Sequence, residues 1–171
     1  MNSMKMITEI NVAASAKRAW QVLAEDYGNA AVWTSVLEST SLRGELGVGA
    51  IRTCHSKSVG PFPASVVEER LIEFEPDSYQ FTYIADKGLP RIFKSATNAW
   101  RIHPVSDNSC KITSHATLKI SRWVFPISWI FPILIKRDLK VVFEELAHYI
   151  EQGQPHPRIG SENLKAAETQ I

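Results

Sequence analysis

Cysteine is scarce in this chain: Cys54 and Cys110 are the only two. Two cannot build a disulfide framework, and a reducing, cytoplasmic setting is expected. His55, His103, His115, His148 and His156 show no metal-ligand spacing with one another or with the cysteines. Neither a metal nor any other cofactor is therefore expected. Charge of one sign is not in excess either. A formal net charge of +1 gives no overall electrostatic reason to expect nucleic acid. A membrane-spanning run is missing too. The most apolar stretch, residues 123–135, has 13 residues and contains Pro126 and Pro132, against the ~20 that a spanning helix needs. No opening segment combines a basic start, an apolar run and a small-residue cleavage site, so secretion is not expected. The serines and glycines form no nucleophile elbow. Gly47-Val48-Gly49 lacks the following helix that a phosphate-binding loop would need.

What remains is an ordinary globular composition, 44% hydrophobic and 22% charged, in a chain long enough for one domain with a real core. The first strand alternates, with Met4, Met6, Ile10 and Val12 on one side and Lys5, Glu9 and Asn11 on the other. Ser15 is placed to cap a helix whose apolar face carries Trp20, Leu23, Ala24 and Tyr27, with Gly28 placed to end it. A second short helix is expected over 29–36, carrying Trp33. From Leu37 the period becomes two, and strands are expected at about 37–43, 49–57, 64–75, 77–86, 92–103 and 109–120. Glycine and proline clusters separate them, and such short links suit antiparallel neighbours. A long helix follows from about residue 133 to a stop at Gly153. Leu139, Val142, Phe143, Leu146, Tyr149 and Ile150 share one face, and Lys136, Arg137, Lys140, Glu144, Glu145, His148 and Glu151 fall largely on the other. The order is α+β: a curved antiparallel seven-stranded sheet around a long C-terminal helix, with two short helices after the first strand. Residues 1–153 form the domain, and 154–171 read as a polar, flexible tail.

VAASAKRAWQVLAEDYGNAAVW, GVGAIRTCHS and VVEERLIEFEPDSYQFTY, in that order and spacing, resemble the polyketide cyclase/dehydrase and lipid-transport branch of the START-like, Bet v 1-like superfamily (SRPBCC). The resemblance covers about residues 4–151. It implies a helix-grip fold with a ligand cavity under the C-terminal helix, and a START-like ligand-binding domain over 1–153. The middle segment also resembles, more distantly, plant lachrymatory factor synthases, which rearrange a small sulfenic acid with an arginine and a glutamate in the cavity. The matching positions are Arg52 and Glu69. The tyrosine of that enzyme corresponds to Ala96, after Phe93-Lys94-Ser95. The charged pair is kept and the phenol is lost.

Strand parity places Ala50, Arg52 and Cys54 on one face. Glu69 with Val67 and Leu71 opposes Glu68 and Arg70 with Val66, Ile72 and Phe74, so parity leaves that strand's register open. Arg52 and Glu69 are the candidate catalytic residues, the guanidinium holding a carbonyl or enolate oxygen while the carboxylate moves a proton. The other reading is a partly buried ion pair that fixes register. Candidate ligand-binding residues are Trp33 at the cavity mouth, Phe81, Tyr83, Asn98, Trp100, Ser114, Leu139 and Phe143. His55 and His115 fall on outward faces, and Trp20 reads as core. The expected partner is a small hydrophobic or polycyclic ligand, bound with cyclase/dehydratase-type lyase or isomerase chemistry or carried without reaction as a lipid or quinone. Residues 123–131, with Trp123, Phe125, Ile127, Trp129, Ile130 and Phe131, read either as a connecting loop against the sheet or as an aromatic lip. Flanked by Lys136 and Arg137, such a lip suits weak, reversible contact with a membrane surface. Nothing in the sequence sets the oligomeric state.

Overall fold

The computed structural model describes residues 3–58, 62–123 and 129–159, with only the backbone of 131–134. Seven strands, β1 (Ser3–Val12), β2 (Leu37–Arg43), β3 (Ile51–Ser56), β4 (Ser65–Glu75), β5 (Gln80–Lys87), β6 (Phe93–Ser106) and β7 (Ser109–Ile120), form one sheet. Their order is β1-β7-β6-β5-β4-β3-β2, and every neighbouring pair is antiparallel. β1 and β2 are thus the two edges. The long helix α2 (Phe131–Gln152) packs on the sheet through Phe143, Leu146 and Ile150, which share a core with Phe81, Trp100, Ile102 and Ile112. This is the helix-grip arrangement that the resemblance implies. No helix among the described residues is long and apolar enough to cross a membrane.

The period-two segments all become strands, with ends shifted by a few residues at most. The ambiguous parity of β4 has a local cause. The β4–β5 register shifts between Leu71 and Glu73, so Ile72 is the extra residue and parity reverses across it. Leu71 before the bulge is fully buried and Ile72 is exposed. Phe74 after it turns inward, with its ring 5.3 Å from that of Trp20.

The short helices differ from the expectation. Ser15 caps α1 (Ala16–Trp20) as its side chain accepts from the Arg18 N–H. The helix then widens into a π turn over Gln21–Glu25 and tightens into a 3-10 helix over Tyr27–Val32. Gly28 lies inside that second helix and does not end the first. A Cβ on Gly28 would sit 3.0 Å from Leu42 Cβ, so the glycine permits close approach to β2. Trp33 is the C-cap of the 3-10 helix rather than part of a longer one.

At the other end of the chain Gly153, at φ 68°, closes α2 in the left-handed conformation, and its N–H returns to the Tyr149 carbonyl. Beyond it, Arg158 reaches back to Glu144 (Nη2–Oε2 3.3 Å) and Ile159 is buried. Residues 160–171 of the expected tail lie outside the described residues. The same holds for Phe125, Pro126 and Ile127 of the aromatic stretch, whereas Trp123 and Trp129 are exposed, at 71% and 68%.

Glu145 corrects the expected helix faces. Placed in sequence among the solvated charges, it is 0% exposed. Its Oε2 accepts from the Ser35 N–H at 2.8 Å and from the Thr34 hydroxyl at 3.3 Å. Its Oε1 has no hydrogen bond but lies 3.8 Å from Arg158 Nε. A buried carboxylate needs such partners, and here they tie the roof helix to the segment after the 3-10 helix.

Candidate functional site

A cavity of about 200 Å³ lies between α2 and the sheet. Arg52, Glu69, Trp33, Phe81, Tyr83, Asn98, Trp100, Ser114, Leu139 and Phe143 all line it. The structure therefore brings every candidate residue to one cavity, although they come from five strands, the helix and the Trp33 cap. Antiparallel pairing does most of this. Arg52 stands directly opposite Glu69 in the β3–β4 ladder, and Tyr83 opposite Asn98 in β5–β6. Trp100 stands opposite Ser114 in β6–β7.

Two polar networks stand out in a mostly apolar lining that also includes Thr8 and Thr34. In the first, Arg52 donates to Glu69 Oε2 from Nε at 2.8 Å and also from Nη2. Arg52 Nη1 donates to the Tyr27 carbonyl at 3.0 Å, and the Cys54 thiol lies 3.5 Å from Glu69 Oε2. The two charged side chains are 9% and 15% exposed, so water screens this pair little. The Tyr27 ring covers the guanidinium, 4.0 Å from ring centre to Cζ, and the Tyr83 ring lies 5.5 Å away. These three Arg52 bonds use three of its five N–H groups. Glu69 Oε1 takes none of the bonds that converge on Oε2.

Burial opposes the charge on Arg52, but the neighbouring Glu69 carboxylate, together with Cys54, Tyr27 and Tyr83, outweighs it and holds the guanidinium pKa well above its ordinary value. Burial, reinforced by Glu69, pushes the Cys54 thiol up to about 12. Cys54 is therefore a neutral thiol and not a nucleophile at ordinary pH. Burial likewise raises Tyr27 and Tyr83, with Glu69 adding to it and Arg52 opposing. Both phenols keep their protons.

The second polar network is a chain across β5, β6 and β7. Ser114 Oγ donates to Asn98 Oδ1 at 2.7 Å, and Asn98 Nδ2 donates to the Tyr83 hydroxyl at 3.3 Å. The Tyr83 oxygen accepts in that bond, so its own proton is not used there. Around these groups runs an aromatic stack. Phe81 and Trp100 lie 6.3 Å apart and nearly parallel, and Trp100 stacks on Phe143 of α2 at 5.3 Å.

Sequence reasoning missed Tyr27, which covers Arg52, and Glu145, which holds the cavity residue Thr34 from behind. Tyr27 shares the helical spacing of a core face, and nothing local says that its ring will cover a guanidinium. Thr34 and Ser35, which hold Glu145, lie 110 or more positions earlier. Cys54 was visible, since it has the parity of Arg52. His55 and His115 are exposed, as expected of outward faces. Among the described residues no group of three or more His, Cys, Asp or Glu side chains is placed to hold a metal ion.

No curated protein matches the chain by sequence. Among solved structures it is similar to Ara h 8.0201, at 12% identity and TM-score 0.69, over 87% of this chain and 98% of that one. It is also similar to norcoclaurine synthase from Thalictrum flavum in complex with dopamine and hydroxybenzaldehyde. There the identity is 18% and the TM-score 0.67, over 91% and 90% of the two chains. A point mutant of the same synthase gives 20% and 0.67, over 87% and 94%. At these identities the likeness is one of fold. The model of the family described as polyketide cyclase / dehydrase and lipid transport matches residues 4–151, which takes in every strand, the cavity and nearly all of α2, and the chain belongs to that family.

Proposed function

We propose that the protein binds a small, largely apolar ligand in the cavity under α2 and acts on it by acid–base chemistry of the cyclase/dehydratase kind. The observation that carries this reading is the buried Arg52–Glu69 pair on the cavity wall, with one carboxylate oxygen and two guanidinium N–H groups outside the bonds that hold it. A carbonyl oxygen of the ligand takes an Arg52 N–H, and Glu69 removes a proton from the adjacent carbon. The electron pair of that C–H bond becomes an enolate, stabilised by the guanidinium. Loss of a β-hydroxyl then completes a dehydration. Hydroxide leaves with the proton returned by Glu69, so water is released and the carboxylate is restored. The Tyr83 O–H, raised in pKa and so kept neutral, suits orientation of a second oxygen. A volume of about 200 Å³ is below the ~300–1,000 Å³ usual for drug-sized ligands. Single-ring compounds of the size bound by norcoclaurine synthase, dopamine and hydroxybenzaldehyde, suit it better than polycyclic ones. A reducing cytoplasm suits the two free cysteines.

The test is direct. Titration with hydroxybenzaldehyde should change the fluorescence of Trp33 and Trp100, and a small ketone should exchange its α-protons with D2O in the presence of the protein. Glu69→Gln should slow that exchange by about a hundredfold while ligand affinity stays within a few-fold. Equal exchange in the variant would refute the assignment.

A non-catalytic carrier is the second reading, favoured by the exposure of Trp123 and of Trp129, the latter just before α2. On that reading a bound ligand undergoes no exchange above background, and lipid vesicles blue-shift the tryptophan emission. Vesicles without effect would leave this reading without support.

A further inference from the structure

We propose that the groove between β1 and α2 reads the anionic head of an amphipathic ligand whose apolar body occupies the inner cavity. This rests on the reading that the cavity holds an apolar ligand, and it names the class. β1 is an edge strand, and among the described residues no strand covers its outer side. The space between them measures about 870 Å³. Thr8, Leu139 and Phe143 line both this groove and the inner cavity, so the two spaces meet across a shared wall. The inner cavity is too small for more than about one ring, so a longer ligand reaches the groove only by passing Leu139 and Phe143, the α2 side chains that the two spaces share.

The groove combines an apolar wall with charged side chains. Met6, Ile10 and Leu139 give it an apolar wall, whereas Lys136, Arg137 and Lys140 stand at its rim with Glu9 and Glu144. Both acids already have cations. Glu9 lies 3.6 Å from Lys111, and Glu144 lies 3.3 Å from Arg158 and 3.8 Å from Lys140. Lys136 and Arg137 have no acidic partner within ion-pair distance among the described residues. The first turn of α2, just before them, contains no acidic residue, so nothing there offsets their charge. A carboxylate, sulfate or phosphate on an alkyl or aryl body is complementary to such a rim: its body lies on the apolar wall and its head meets two unpaired cations.

The full-length protein is titrated with octyl phosphate, 1-octanol and inorganic phosphate, followed by calorimetry and by the fluorescence of Trp33 and Trp100. Octyl phosphate should bind about tenfold more tightly than 1-octanol at low salt, the scale expected of two exposed cations. That advantage should fall to about twofold in Lys136→Gln/Arg137→Gln and in high salt. Equal affinities for the phosphate and the alcohol would overturn the inference and leave the cavity reading intact. Inorganic phosphate displacing octyl phosphate at equal concentration would also overturn it, because the cations would then hold an anion without the cavity. A dimer that the double variant dissociates would do the same, since a second copy would fill the groove. Absence of binding by either octyl compound, with no fluorescence change, would refute the cavity reading as well.

Discussion

Arg52 sits in a network where removal of one partner is worse than removal of both. Three donors converge on Glu69 Oε2, and both charges are nearly dry. Arg52→Met should destabilise the fold by about 3–5 kcal/mol, because an uncompensated carboxylate is left inside. Arg52→Met/Glu69→Leu should recover most of that loss. Urea unfolding of the two single variants and the double variant closes the cycle, and strict additivity would show that the two side chains do not interact. Cys54 gives a second residue-scale prediction through its proton. Its pKa rises from 9.0 to about 12 on folding, so above pH 9 the unfolded chain has lost this proton while the folded chain keeps it. The linked stability is fully present below pH 9 and is lost between pH 9 and about 12, on the order of 1 kcal/mol per pH unit. Tyr27 and Tyr83, also raised, add the same sign of dependence from about pH 10 upward. Cys54→Ala should flatten the slope between pH 9 and 10, read by urea midpoints across that range.

Among the elements, α2 is held at both ends of its packed half. Glu145 ties it to Thr34 and Ser35, and Gly153 ends it. Glu145→Ala would leave a buried N–H and hydroxyl unpaired, at a loss of about 2–3 kcal/mol for hydrogen bonds to a charged group. Glu145→Gln, which keeps an acceptor, should lose less, and thermal unfolding separates the two. The periodicity of α2 was legible in sequence because Leu139, Phe143 and Leu146 repeat at helical spacing. The fate of Glu145 was not, because periodicity assigns a carboxylate to solvent unless its distant partners are known. β4 repeats the lesson. Its alternation is readable up to Leu71, and the extra residue Ile72 then reverses the face on which Phe74 stands. Parity made Ala50, Arg52 and Cys54 readable as one face, since β3 has no bulge inside that stretch. Tyr27 escaped because a ring over a guanidinium leaves the same spacing as a ring in a core.

For the whole molecule, a helix laid on a curved sheet meets it along a line and leaves space beside that line. The aromatic stack of Phe81, Trp100 and Phe143 fills part of the space, and the cavity is what remains. Wall atoms around an unfilled space lack dispersion partners on one side, so the fold gives up stability to keep the cavity open. Ala116 lines it and stands opposite Asn98 in the β6–β7 ladder, away from the Arg52–Glu69 pair. Ala116→Leu places an isobutyl group into that space. If the cavity is the ligand site, this variant should be more stable by about 1 kcal/mol, the usual scale of cavity filling, and should bind hydroxybenzaldehyde at least tenfold more weakly. Loss of stability would mean that the wall has no room and that overpacking outweighs burial. Gain of stability with unchanged affinity would place the ligand elsewhere, because one volume cannot hold both the leucine and the ring.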